Sequence, residues 1–306
     1  MDGVPNCRFS FDAIGTRFEI DTPQPLSTIM RERVLELTED FDRLYSRFRD
    51  TSLIAKIAAA KGGGVFAFPP DAAVMFDLYD RLHTATDGAV DPLVGADLER
   101  LGYDRSYSLV STSDTAPCPA LQRPACNRPA WNRDVTRHGA TLTTGRPLTI
   151  DLGALGKGRL VDLIADLLKS KDIENFLVDG SGDMRHRGNL PVTVGLEDPR
   201  DPSRVIGIAT LADGALCASA VNRRAWGDGL HHVVDGRTGR PTHDVIATWA
   251  VAADAATADG LAKALFFAPA ARLRQAFDFS FVRLFADGRA EVSDNFDGEV
   301  FTEKGH

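Results

Sequence analysis

The chain has 306 residues, 43% of them hydrophobic and 25% charged, a globular composition with length enough for a sizeable core. A net charge of −8 argues against sequence-independent nucleic-acid binding, which needs a basic footprint, but leaves room for an anionic ligand at a locally positive site. No run approaches the roughly 18 apolar residues of a membrane span.

The N-terminus lacks the basic and apolar regions of a secretory signal, and Cys7 does not sit in the setting of a lipid-anchored cysteine. The four cysteines, Cys7, Cys118, Cys126 and Cys217, form no CxxC pair, so reduced thiols in a cytoplasmic protein are expected rather than zinc or a catalytic thiol. Residues 8–20 alternate as a first strand. Ile29, Val34, Leu37, Phe41 and Leu44 recur at gaps of three to five and predict a helix over 26–47. A second helix is expected over 71–86, and Gly88, Pro92 and Gly95 then break regularity. Residues 108–133, with Pro117, Pro119, Pro124 and Pro129, read as a long surface excursion. The second half alternates strands and helices: a strand over 140–151, a helix near 157–169, strands near 175–179, 190–197, 204–211 and 245–253, a helix over 255–267, and strands at 279–285 and 289–293. Strands in meander-like groups beside few long helices predict an α+β fold rather than a doubly wound sheet.

Four segments carry candidate chemistry. In "DLGALGKGRLVDLIADLL" (151–168), Gly153, Gly156 and Gly158 surround Lys157 just before an amphipathic helix. Backbone N–H groups and the helix dipole suit a phosphate there, although on this segment alone a glycine turn that merely lets the helix pack closely is the simpler reading. "FLVDGSGDMRHRG" (176–188) runs a strand into a turn holding Asp179, Gly180, Gly182 and Asp183. It fails GxGxxG, so a Rossmann site is not expected, and an ordinary hairpin turn is the simpler reading. "GLHHVVDGRTGRP" (229–241) offers His231, His232 and Asp235 as an acid/base pair, or as strand histidines on opposite faces. In "DGLAKALFF" (259–267), Asp259 and Lys263 have the spacing of a helix ion pair, worth roughly 0.2–0.5 kcal/mol.

Taken together, these segments resemble the ApbE family, the FAD:protein FMN transferases. "AIGT" (13–16), "SRFRDTS" (46–52), "GAVDPLVG" (88–95), "DLGALGKGRLVD" (151–162), "DGSGDMRHRG" (179–188), "HHVVDGRTGRP" (231–241) and "TADGLAKALFF" (257–267) are similar to family segments, in family order, over nearly the whole chain. The resemblance implies one α+β domain over 1–306, with mixed or antiparallel sheets and a few packed helices. It implies FAD bound in a cleft, with magnesium on its pyrophosphate. FMN would pass through its phosphate to a threonine or serine of a partner flavoprotein, and AMP would leave. Such transfer draws its rate from positioning and charge neutralisation. By the same resemblance, Ile14, Phe48, Ala89, Val90, Asp91, Asp151, Lys157, His232 and Asp183, the last in an acidic turn, bind the dinucleotide. His232, rather than His231, lies near the transferred phosphate, with Asp235 as its catalytic companion. The metal ligands fall on the carbonyl of Ala154, on Asp259, and on position 263.

Position 263 departs from the family, because Lys263 stands where a metal-binding threonine is expected, and an ammonium has no lone pair for a cation. "SAVNRR" (219–224) lacks the Gly, Asp and Tyr of the corresponding segment, "SGD" (181–183) replaces "GGD", and Gly236 replaces a proline. Three readings follow: a flavin transferase with altered metal use, a flavin-binding paralogue with weak or no transfer, and, behind both, a nucleotide pyrophosphatase or an unrelated interaction protein. Lys263 is expected to pair with Asp259 and with the diphosphate, which makes a role for magnesium doubtful.

Overall fold

The computed structural model describes residues 7–111, 128–227 and 229–301. The expected first strand is in fact a hairpin. Cys7–Ala13 and Thr16–Thr22 pair antiparallel across Ile14 and Gly15, at φ +44° and +74°. Both arms keep the same alternation, so periodicity alone hides the turn.

These are the first two strands of an eight-stranded sheet, which continues through Phe176–Asp179, Asp183–Arg187, Gly214–Ala220, Val245–Ala252, Ser280–Phe285 and Ala290–Val292. Spatial order equals chain order, and every neighbour is antiparallel. Two of these strands escape the sequence reading. Of Asp183–Arg187 the sequence assigns only Asp183, to the preceding turn, and Gly214–Ala220 ("GALCASA") consists mostly of small residues with little strand propensity. Its burial between two layers explains that composition. Ala215 and Cys217 enter the main core with Ala250, Ala252 and Phe281, whereas Leu216 enters a second core with Ala247, Trp249, Val282 and Leu284.

The helices Thr28–Tyr45, Ala72–Ala85, Gly156–Lys169 and Ala255–Ala264 supply the main core. The second core is closed by Leu196, Ala209 and Leu211 of a three-stranded sheet, ordered Gly298–Val300, Asp201–Leu211, Val192–Asp198. The strand expected over 140–151 is shorter: Thr141–Thr144 pairs with Val135–His138 and Gly64–Ala67, and Gly145 and Pro147 end it. Of the 108–133 excursion, residues 112–127 lie outside the described residues, as do Cys118 and Cys126. Its far end is not surface: Trp131 is buried and donates from Nε1 to Asp80 at 2.6 Å. Among the described residues no helix is long and apolar enough to cross a membrane.

Candidate active site

A cavity of about 880 Å³ opens where the Gly156–Lys169 helix, the turns at 14–15 and 181–182 and the 218–234 segment converge. One wall is the N-terminus of that helix. Its cap residue, Leu155, offers no side-chain acceptor, so the first N–H groups look for partners elsewhere. Gly158 N donates to Asp259 Oδ2 at 3.1 Å. A Cβ at Gly158 would lie 2.2 Å from the Ala255 carbonyl oxygen, so this glycine also lets two helices touch. The packing reading of the segment therefore holds, and the same segment lines the cavity.

Lys157 Nζ donates to the carbonyls of Gly180 (2.7 Å) and Ser181 (3.2 Å) and stands 3.2 Å from Asp183 Oδ2. Burial disfavours its charge, but Asp183 and Asp259 outweigh that and raise its pKa above the ordinary range. Asp183 has no exposed surface and lies beneath Lys157, outside the cavity lining. The 180–182 turn is an ordinary hairpin turn, as the sequence suggests, and it also lines the cavity. Ser181 and Gly182 adopt φ of +56° and +97°, and Asp179 Oδ1 accepts from Gly182 N at 2.8 Å. Ser181 Oγ accepts from Thr16 Oγ1 and donates to the Arg17 carbonyl, both at 2.8 Å, which ties this turn to the Ile14–Thr16 turn.

The opposite wall carries aromatic rings. Phe48 stacks on Tyr107 at 5.1 Å and 10° and meets Tyr103 edge-on at 5.4 Å. The Arg47 guanidinium lies 4.1 Å from the Phe48 centroid, pairs with Asp151 and donates to the Tyr103 carbonyl. Asp151 also accepts from Gly153 N at 2.7 Å. Asp91 spends its oxygens on Leu93 N (2.7 Å) and Trp131 N (3.0 Å), beside His83 Nε2 at 3.3 Å. Both carboxylates thus fix loops while lining the cavity, next to buried Ala89 and Val90.

At the third side lie His232, Ser219, Asp259 and Lys263. His232 Nδ1 is buried without a hydrogen-bond partner. Burial, then the cations of Lys263 and Arg224, hold its pKa well below the usual value, so the imidazole is neutral. His231 lies outside the lining: it is buried, one ring nitrogen meets the Thr242 carbonyl at 2.7 Å and the other accepts from Val233 N. Asp259 is 2% exposed, and burial followed by Asp183 raises its pKa. Burial lowers that of Lys263.

Three expectations fail geometrically. Asp183 does not line the cavity, because its buried carboxylate is held against Lys157. Asp235 is not a companion of His232. It accepts from Arg237 N (2.8 Å), pairs with the Arg237 guanidinium (2.6 Å) and lies outside the cavity lining. Residues three apart in extended chain point to opposite faces, and Asp235 is committed to opening the next turn. The Asp259–Lys263 ion pair is also not formed. Lys263 donates to Ser219 Oγ instead, and no described carboxylate is in ion-pair contact with it.

Ile14, Phe48, Ala89, Val90, Asp91, Asp151, Ala154, Lys157, His232, Asp259 and Lys263 all line this one cavity. Sequence reasoning missed Arg47, Tyr103, Tyr107 and Ser219. Arg47, beside Phe48, and Ser219, opening "SAVNRR", stood inside quoted segments and were the available signals. The donor set of Ala154, Asp259 and Lys263 does not fit magnesium, since one of its three members is an ammonium. Among the described residues no three His, Cys, Asp or Glu side chains gather as a metal site.

The model of the ApbE family matches residues 14–280. A FAD:protein FMN transferase of Vibrio cholerae is 28% identical over 251 residues, covering 78% of this chain and 73% of that protein. That of Treponema pallidum is 26% identical, covering 77% and 70%. That of Rhodobacter capsulatus is 25% identical over 86% of this chain, which spans about half (51%) of that relative's length. The solved flavin transferase ApbE from Vibrio cholerae shares the fold at a TM-score of 0.78 and 23% identity, over 94% of this chain and 96% of that one. The ApbE protein of Thermotoga maritima does so at 0.77 and 24%, with the same coverage. With the matched span running from the first hairpin turn to the seventh strand of the sheet, the chain belongs to the ApbE family.

Proposed function

We propose that the chain is an FAD-dependent flavin transferase, which attaches FMN through its phosphate to a threonine or serine of an acceptor protein. The observation that carries this reading is the neutral, unpartnered Nδ1 of His232, in the same cavity as Lys157 and the Phe48–Tyr107 rings. Rings of this kind stack on a planar heterocycle. The helix N-terminus and Lys157 attract the diphosphate. The acceptor hydroxyl oxygen bonds to the phosphorus of the FMN half, the bond to the bridging oxygen breaks, and AMP leaves with that oxygen. The hydroxyl proton passes to His232 Nδ1, in the tautomer protonated at Nε2. The bound diphosphate raises the basicity that Lys263 and Arg224 depress in the empty cavity.

The cavity is lined by residues from Ile14 to Phe267, and on this reading the chain works as one domain. The names of the relatives favour transfer over mere flavin binding. Incubation with FAD and a flavoprotein acceptor domain tests it: the expected result is covalent flavin fluorescence on the acceptor in a denaturing gel, with equimolar AMP. Bound flavin without covalent product or AMP would leave only a binder.

A further inference from the structure

Lys263 is a charge that the proposed reaction does not use. It stands in the last turn of the Ala255–Ala264 helix and lines the cavity. The neighbouring cations of the lining have carboxylate partners: Lys157 with Asp183 (3.2 Å), Arg47 with Asp151, Arg49 with Asp42 (3.1 Å) and Arg223 with Glu197 (2.8 Å). Lys263 donates to the Ser219 hydroxyl, which carries no charge. The carboxylate one helical turn before it, Asp259, is engaged by the Gly158 N–H. Arg224, on the same side, donates to the Tyr103 hydroxyl. This side of the cavity therefore holds positive charge that described carboxylates do not neutralise by contact.

Asp259 and Asp183 favour the Lys263 charge only from beyond contact distance and do not offset its burial, and an anion entering the cavity relieves that deficit. A dication placed between Asp259 and Lys263 would instead meet a like charge at close range, and Lys263 offers it no lone pair. An anion of two negative charges, such as a dinucleotide's diphosphate, balances the site without help. We propose that Lys263, positioned by Ser219, supplies with its own charge what a divalent cation was expected to supply, so that this chain binds the diphosphate of FAD independently of divalent metal. The inference rests on the reading of the cavity as an FAD site.

Calorimetric titration of the whole chain with FAD, first in EDTA and then with magnesium chloride, separates the two. Equal affinity in both conditions is expected. Lys263→Thr, which supplies a hydroxyl in place of the charge, is expected to bind about tenfold or more weakly in EDTA and to recover with magnesium. Lys263→Met, with neither charge nor oxygen, should be weak in both, and circular dichroism checks that both variants fold. Wild-type affinity that collapses in EDTA and returns with magnesium overturns the inference and leaves the FAD site standing. A Lys263→Thr variant that titrates like the wild type in both conditions overturns it as well. No FAD binding in either condition removes the site reading, and the inference with it.

Discussion

Asp183 shows how tightly the site is bound to the fold. Neither of its buried oxygens accepts a hydrogen bond, and Lys157 at 3.2 Å is its compensating charge. Lys157→Ala would strand that carboxylate, at about 3–5 kcal/mol of stability, and weaken FAD binding as well. The double variant Lys157→Met/Asp183→Asn should recover stability in urea denaturation but not FAD affinity. A Lys157→Ala protein as stable as the wild type would show that Asp183 has another partner. The two histidines should separate just as cleanly. His232→Ala is expected to lower FMN transfer by about 10²–10⁴-fold with FAD affinity little changed, whereas His231→Ala should lower the melting temperature through its lost contact with Thr242. Transfer kinetics and calorimetry on both variants decide it, and equal transfer by His232→Ala and wild type removes the histidine from the reaction. At this scale the sequence was readable where a segment carried its own chemistry, as around Lys157 and His232. The roles of Ser219 and Arg47 were not, although both stand in quoted segments, because their partners, Lys263 and Asp151, lie 44 and 104 residues away. Asp235 misled because adjacency in sequence says nothing about which face an extended chain presents.

Between elements, the contact that aims the cavity wall is the one between the Gly156–Lys169 and Ala255–Ala264 helices. Asp162 on the first accepts from Ala255 N and Ala256 N of the second, both at 2.8 Å. Burial dominates over these two hydrogen bonds and pushes its pKa up to about 6, from 3.8. The folded protein therefore binds this proton more tightly than the unfolded chain does. Between pH 3.8 and 6 the contribution of Asp162 to stability falls as pH rises. Asp162→Asn should flatten that part of the stability–pH profile while lowering stability throughout, since an amide is a weaker acceptor for two N–H groups. Urea midpoints from pH 4 to 7 provide the check, and an unchanged slope rejects Asp162 as the titrating group. The helices were legible from apolar periodicity to within a few residues. The Gly214–Ala220 strand was not, because a strand covered on both faces by close-packed layers is selected for small volume rather than for alternation.

For the whole molecule, the sheet divides two apolar cores. Leu211, 1% exposed in the second core, does not itself line the cavity. Leu211→Ala should cost about 2–5 kcal/mol in denaturation while the folded protein keeps wild-type FAD affinity. Affinity lost in proportion to stability would mean that the two layers are energetically one. The chain-order sheet carries a different consequence, for the chain as it is made. Thr16–Thr22 waits for Phe176–Asp179, whose register sets Glu19 against Asp179, and the segment between them contains most of the long helices. At ribosomal speeds the hydrogen-bonding edge of that first hairpin stays open for on the order of ten seconds before its neighbour exists. Nascent chains arrested ahead of Phe176 should therefore be held by chaperones or aggregate, and chains arrested well after Asp179 should be released from that fate.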